Sequence, residues 1–351
     1  MMRESGSDRS GMRYEAAMLL LLIPFICAAQ SYSEYARGVA AFRAGDYASA
    51  VDLFANADAA APGTTDALIY EAKSLVHLQN FNAAESALRR YLPLHKDSDE
   101  ALYLLGFVLH RENKASESLE IYTKAAALKT PTGDDLKIVG LDYVLLNDYA
   151  NAIKWLEKAV ELDPKNKDAW YYLGRAYYSR SLLPESRRAF LTVLDLDTRD
   201  ARAENNLGLI LESEAKPNEA LQAYRKAIEW QDGTPHRSEQ PYLNLGRLLL
   251  ELDRAGEAIA PLEKAVELGA NNAGCHLKLG TAYLRTNRLP DAQRELENAE
   301  RLEPENAAIH YQLARFYKQI HRMDKAKIEF QRTEELQSQA AKSRPSDPRE
   351  P

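Results

Sequence analysis

The chain has 351 residues, 45% of them hydrophobic, with 45 basic and 52 acidic side chains and a net charge of −7. That much apolar material is ample for a continuous core. The mild acidity argues against nucleic acid as the main partner, since nucleic-acid binders favour a basic face.

In chain order, the first element is an N-terminal segment. Residues 1–11 are polar, and Met12 is an alternative start. Ala16 to Ala29 read AAMLLLLIPFICAA, with Arg13 before the run and Gln30 after it. The run is shorter than the ~20 apolar residues of a comfortable membrane span. A charged start, an apolar centre and a small-residue end predict a secretory signal peptide over residues 1–29, cleaved after Ala29. The alternatives are an uncleaved anchor, a buried first helix, or a lipoprotein modified at Cys27; Ile26 is bulky where a lipid site wants a small residue. An exported chain is expected, in the periplasm or cell envelope or secreted, with no stable membrane span after cleavage. Losing Cys27 would leave Cys275 without a disulfide partner, as a small packing residue rather than a reactive thiol.

From residue 31 a 34-residue beat takes over. Gly106, Gly140, Gly174 and Gly208 are evenly spaced, and Gly38 lies two periods before Gly106 with Ala72 between them. Gly246, Gly280 and Ala314 continue the series after an insertion of four residues. A small residue follows each of these places by 12: Ala50, Ala84, Ser118, Ala152, Ser186, Ala220, Ala258, Ala292 and Ala326. Four places further on stand Phe54, Leu88, Tyr122, Leu156, Phe190, Tyr224, Leu262, Leu296 and Phe330. A fixed period of this length means a stack of one repeated structural element. The repeats lie near 31–64, 65–98, 99–132, 133–166, 167–200, 201–234, 239–272, 273–306 and 307–340. Apolar residues three or four apart predict two amphipathic helices in each. Small residues at the glycine and alanine columns would let the two helix axes approach to about 8–10 Å.

Local features are read the same way. Gln231 to Pro241 holds the insertion and predicts a longer surface loop, cheap in closure entropy; a change of pitch there, splitting the stack after the sixth repeat, is the alternative. Pro261 falls inside the second helix of the seventh repeat and should bend it. The second helix of the ninth, Met323 to Gln339, is polar enough to cap the stack. Residues 341–351, AKSRPSDPREP, predict a disordered tail.

Trp170-x2-Leu173-Gly174-x2-Tyr177, with Ser186 and Phe190 behind it, matches the tetratricopeptide signature. The fourth repeat carries Gly140, Tyr143, Ala152, Ala159 and Pro164 in register. Over about residues 31–340 the chain therefore resembles the tetratricopeptide repeat family. The second repeat (Ala72, Tyr91) and the ninth (Ala314, Thr333) depart furthest from the pattern. The resemblance implies an all-α, right-handed superhelical solenoid of about nine helix-turn-helix repeats.

No catalytic motif stands out: GxSxG, HExxH, P-loop, GxGxxG and CxxC are all missing from the sequence. The seven histidines never take a metal-ligand spacing on one helix. Neither enzymatic activity, nor a cofactor, nor a metal is expected.

The resemblance implies instead that the first helices line a concave face along which a partner's peptide lies. Two places before the glycine column stand Tyr172, Asn206, Asn244, Lys278 and Gln312; one place after it stand Arg175, Arg247 and Arg315. Tyr103, Phe107, Tyr171 and Tyr178 make the face aromatic in the third and fifth repeats. Asn206 and Asn244 could pair with any peptide's amides. The arginines could hold carboxylates as two-pronged donors, and the aromatic residues could anchor apolar side chains. The competing reading is internal: asparagines on helix ends, arginines on nearby glutamates, tyrosines packed within the stack. The family's clamp for C-terminal carboxylates is incomplete, because Leu209 and Gly274 occupy places that need polar or basic groups. The expected function is a non-catalytic scaffold that binds peptide segments or a helix of other proteins, in envelope assembly, pilus or secretion machinery. A self-assembling structural protein and a non-catalytic subunit of an enzyme complex are the alternatives, and the oligomeric state stays open.

Overall fold

The computed structural model describes residues 28–63, 65–235 and 237–342. Most of the expected signal peptide and residues 343–351 of the expected tail lie outside the described residues. Among the described residues the chain is all-α, with no strand. Helix α1 covers residues 28–43, so the expected cleavage point after Ala29 falls within its first described turn. It is followed by α2 (Tyr47–Ala60), α3 (Ala67–His77), α4 (Phe81–Tyr91), α5 (Asp99–Arg111), α6 (Ala115–Leu128), α7 (Gly133–Leu145), α8 (Tyr149–Leu162) and α9 (Lys167–Ser179). The chain then continues as α10 (Leu183–Leu196), α11 (Ala201–Ser213), α12 (Pro217–Gln231), α13 (Gln240–Glu251), α14 (Ala255–Leu268), α15 (Ala273–Arg285), α16 (Leu289–Leu302), α17 (Ala307–Gln319) and α18 (Met323–Lys342).

The chain divides into two compact bodies, one ending at Arg180 and one starting at Ser181. The division falls between the two helices of the fifth repeat and not at the insertion, where α12 packs directly on α13. Within each body consecutive helices pack against each other. First helices also touch the next first helix: α3 with α5, α5 with α7 and α7 with α9 in the N-terminal body, α13 with α15 and α15 with α17 in the C-terminal body. Each body is thus a helical repeat solenoid in which first-helix side chains come to lie beside one another.

Helix starts are written locally. The side chains of Asn80, Ser98, Asp148, Asn166 and Asn306 each accept a backbone N–H of the first turn. Thr132 and Asp135 close a capping box at the start of α7. The turn inside each pair uses one residue in the left-handed region. It is Gly45 in the first pair, then Gln79, Asn113, Asn147, Ser181, Ala215, Asp253, Asn287 and His321. Ala215, at φ 58°, has neither glycine's freedom nor a polar side chain to offset the strain.

The core follows the small and aromatic columns. Ala50, Ala84, Ala152, Ala220, Ala258 and Ala292 are fully buried, as are Phe54, Leu88, Leu156, Phe190, Tyr224, Leu262 and Leu296. The glycine column exists because the large residue 16 places later lies against it. A Cβ at Gly106 would come within 2.7 Å of the Tyr122 ring, and one at Gly140 within 2.6 Å of Leu156. Ser118, also buried, donates its hydroxyl to the Gly106 carbonyl at 2.9 Å. Cys275 is fully buried, and burial pushes its thiol up to about 12, as suits a packing residue.

One detail differs from the sequence reading. Helix α18 runs to Lys342 rather than ending at Gln339, so it enters the segment assigned to the tail. Ala340, Ala341 and Lys342 are good helix formers, and the first proline comes only at Pro345. Helix α14 carries Pro261 as one uninterrupted element. No helix among the described residues is long and apolar enough to cross a membrane.

Candidate functional site

The side chains singled out on the first helices fall into two groups with different surroundings. In the C-terminal body most of them are bonded to neighbours within the stack. Asn206 Nδ2 donates to the Arg202 carbonyl of its own helix at 2.7 Å, and Asn244 Nδ2 donates to Asn205 Oδ1 at 3.0 Å. Arg247 bridges Glu212 at 2.6 Å and Glu251 at 2.8 Å; Glu212 also accepts the Tyr224 hydroxyl. Arg315 donates to Gln312 Oε1 at 3.3 Å. Arg247, Lys278 and Gln312 line a small cavity of about 130 Å³ together with Arg285. Burial, then the charge of Arg247, holds the Lys278 ammonium below its ordinary range.

The N-terminal body offers larger and more aromatic concavities. Tyr103 and Phe107 on α5 line a cleft of about 770 Å³ with Lys73, Lys129, Lys137 and the acidic Asp99, Asp134 and Asp135. The Tyr103 hydroxyl donates to the Lys129 carbonyl at 2.6 Å. Burial, then Asp135 and Asp99, raises its pKa. Phe107 packs edge-on against Phe81. On α9, Tyr171 and Tyr172 form an edge-to-face pair with centroids 5.4 Å apart, while Tyr178 is half-buried.

A second cavity, of about 330 Å³, lies between α5, α7 and α9. Tyr172 and Arg175, both expected on a binding face, line it. His110, Arg111 and Tyr149 also line it, and Leu141, Val144 and Leu145 form an apolar wall. His110 Nδ1 lies 2.7 Å from Asp142 Oδ1. The Asp142 carboxylate is fully buried, and its other oxygen has no hydrogen-bond partner. A buried carboxylate facing one ring nitrogen fixes the imidazole's orientation. The guanidinium of Arg111 sits 4.4 Å from the Phe81 ring and 5.8 Å from Phe107, and that of Arg175 lies 6.0 Å from Tyr171. Among the described residues neither arginine has a carboxylate partner. Stacking on aromatic rings leaves a guanidinium's N–H edge available for an anion. The cavity is therefore positively charged, partly aromatic and walled by aliphatic groups, which suits a carboxylate attached to an apolar stem.

His110, Arg111 and Asp142 escaped the sequence reading. A signal was present: Asp142 is the one charged residue in a column otherwise made of Ala40, Ser74, Val108, Ala176, Ile210, Leu248, Ala282 and Phe316, apolar apart from Ser74. A carboxylate in an apolar column needs a partner.

Known proteins share this architecture. Four repeat-family models match the chain: a TPR repeat over residues 140–181 and tetratricopeptide repeats over residues 41–106, 199–271 and 277–342. The BBSome complex member BBS4 of Xenopus tropicalis is 26% identical over 160 residues, 44% of this chain and 31% of that protein. The type IV pilus assembly protein PilF of Pseudomonas aeruginosa is 28% identical over 142 residues, 40% of this chain and 55% of that protein. The chain thus spans about a third of BBS4 and about half of PilF. The crystal structure of a tetratricopeptide repeat protein from Parabacteroides merdae superposes with a TM-score of 0.58 at 18% identity, covering 71% of this chain and 97% of that one. With the 34-residue beat, the stacked helix pairs and the repeat models in agreement, the chain belongs to the tetratricopeptide repeat family.

Proposed function

We propose that the protein is a non-catalytic interaction scaffold that captures a peptide segment of a partner protein, and that the cavity between α5, α7 and α9 receives an acidic group of that peptide. The observation that carries this reading is the pair Arg111 and Arg175. In a chain of net charge −7, both line one cavity and both rest on aromatic rings rather than on carboxylates. An incoming carboxylate would form charge-assisted bonds that the free protein lacks. His110, held by Asp142, lines the same cavity. Tyr172 and Tyr149 offer rigid apolar contact beside the charge. The cleft next to Tyr103 and Phe107 would take the flanking residues of the same peptide.

The site of action we propose is the exported compartment, periplasm or cell envelope, or the medium. The signal-peptide pattern of residues 1–29 supports it, and so does the similarity to PilF, whose name places that protein in pilus assembly. A crosslinked pull-down from envelope and secreted fractions tests both points, with the wild type beside an Arg111→Gln/Arg175→Gln variant. A partner held by the wild type and lost by the variant supports the cavity as the binding site; a partner kept equally by both places the site elsewhere.

A second reading, self-assembly, is favoured by one feature. Tyr311, Met323 and Ile328 on the last helix pair are large apolar side chains 46%, 59% and 61% exposed, enough to seed an end-on contact. Light scattering across a concentration series separates the two readings.

A further inference from the structure

The eighth and ninth repeats contain two copies of one buried arrangement. In the eighth, His276 on α15 approaches Glu295 Oε2 with Nδ1 at 2.7 Å and the Ala270 carbonyl with Nε2 at 3.0 Å. In the ninth, 34 residues on, His310 on α17 approaches Glu329 Oε2 with Nδ1 at 2.8 Å and the Pro304 carbonyl with Nε2 at 2.8 Å. Both imidazoles are 7% exposed.

The surroundings of the two copies differ in charge, and two of the positions bear on the site. In the eighth repeat Arg294 Nε donates to Glu295 Oε1 at 3.0 Å, which adds a cation to the pair. Its counterpart in the ninth is Ile328. At the position of Val266 the ninth repeat carries Glu300. At these two positions one cation gives way to an apolar residue and one apolar residue to a carboxylate. Among the described residues neither Glu300 nor Glu329 has a lysine or arginine partner.

We infer that Glu300, His310 and Glu329 form a binding site for a divalent transition-metal ion of the zinc class. One ligand atom of each lies within 4.8 Å of the others. Zinc bonds of about 2.0–2.2 Å to imidazole nitrogen and carboxylate oxygen would bring such atoms to ~3.3 Å from one another. Rotation of the two flexible glutamates covers that difference. With Nε2–H donating to the Pro304 carbonyl, a metal would take the place of the proton between Nδ1 and Glu329, and a carbonyl acceptor on the second ring nitrogen is the usual way an imidazole ligand is oriented. Two carboxylates and one neutral imidazole balance a divalent charge, and a mixed nitrogen and oxygen donor set without sulfur suits zinc, cobalt or manganese. The three ligands come from α16, α17 and α18, so no spacing on a single helix announces them. Bound there, the ion would tie the last three helices of the C-terminal body together.

The full chain, stripped of metal with a chelator, is titrated with zinc by calorimetry and with cobalt by visible absorption. The expected result is one ion per chain, with tetrahedral cobalt bands and a rise in melting temperature. Glu300→Val installs the residue that the eighth repeat already tolerates; it should weaken zinc binding by more than about tenfold while the metal-free melting temperature stays level or rises. Glu295→Gln, in the sister copy, should leave zinc binding unchanged. Absence of zinc binding by the wild type, or undiminished affinity in Glu300→Val, overturns the site. So does loss of binding in Glu295→Gln with an unchanged fold.

Discussion

The two bodies of this chain are built from the same repeat, yet they use their first-helix side chains differently. In the N-terminal body the cations near the cavity rest on rings, Arg111 on Phe81 and Arg175 near Tyr171. In the C-terminal body Arg247 is held by two glutamates, and Asn244 by Asn205. A polar residue at a groove position is thus not evidence of a free surface, because neighbouring repeats can bring it a partner. A guanidinium on an aromatic ring keeps its hydrogen-bonding edge open; one between two carboxylates does not.

The largest expected effect tests whether the bodies share one stability. Leu156→Ala in the first and Leu262→Ala in the second each empty a fully buried site and should cost about 2–5 kcal/mol. Because repeats couple mainly to their neighbours, hydrogen exchange should show lost protection concentrated in the pairs flanking each substitution. Uniform loss along the chain would erase the distinction between the bodies.

Next comes the contrast between open and paired arginines. Arg111→Gln with Arg175→Gln should weaken capture of an acidic peptide by about 1.5–3 kcal/mol per lost charged bond, while stability to urea shifts by no more than about 0.5 kcal/mol. Arg247→Gln should do the reverse. It leaves Glu212, only 15% exposed, without its cation, costing about 1–3 kcal/mol of stability with peptide capture intact. Equal behaviour of the two variants in both assays would dissolve the comparison.

A pH series sharpens the view of the C-terminal body. The hydrogen bond to Glu295, opposed by burial, holds the His276 imidazole above its ordinary value of 6.5. Burial opposes ionisation of Glu295, but His276 and Arg294 together hold that carboxyl below its ordinary 4.5. A raised histidine stabilises fully below its unfolded value and loses that contribution as pH rises through its folded one; a lowered carboxylate does so above its unfolded value and loses it as pH falls. The pair is at full strength between about pH 5 and 6.5. Denaturant melts of His276→Asn against wild type should differ most in that window, and the difference should shrink as pH rises beyond it. A difference that grows with alkalinity would sink the assignment.

The smallest effect concerns the turns. Ala215 adopts the left-handed region that only glycine enters freely. Ala215→Gly should raise stability by about 0.5–1 kcal/mol in a thermal melt, whereas Gly45→Ala, at φ 79°, should lower it.

The sequence by itself determined the helix pairs and their core. The columns led by Gly106, Ser118 and Tyr122 recur on one beat, and their partners lie only 12 or 16 residues apart inside one hairpin. Contacts so local leave a periodic trace in composition. The turns were less legible, because among the described residues eight of the nine left-handed positions inside the helix pairs carry a residue other than glycine. The tertiary structure alone decided which polar side chains meet. His110 and Asp142 are 32 residues apart, Arg111 finds Phe81 of the preceding repeat, and Glu300, His310 and Glu329 arrive from three helices. Those meetings depend on how one pair stacks upon the next, and stacking is set by the shared apolar columns. The polar residues follow it without leaving a period of their own.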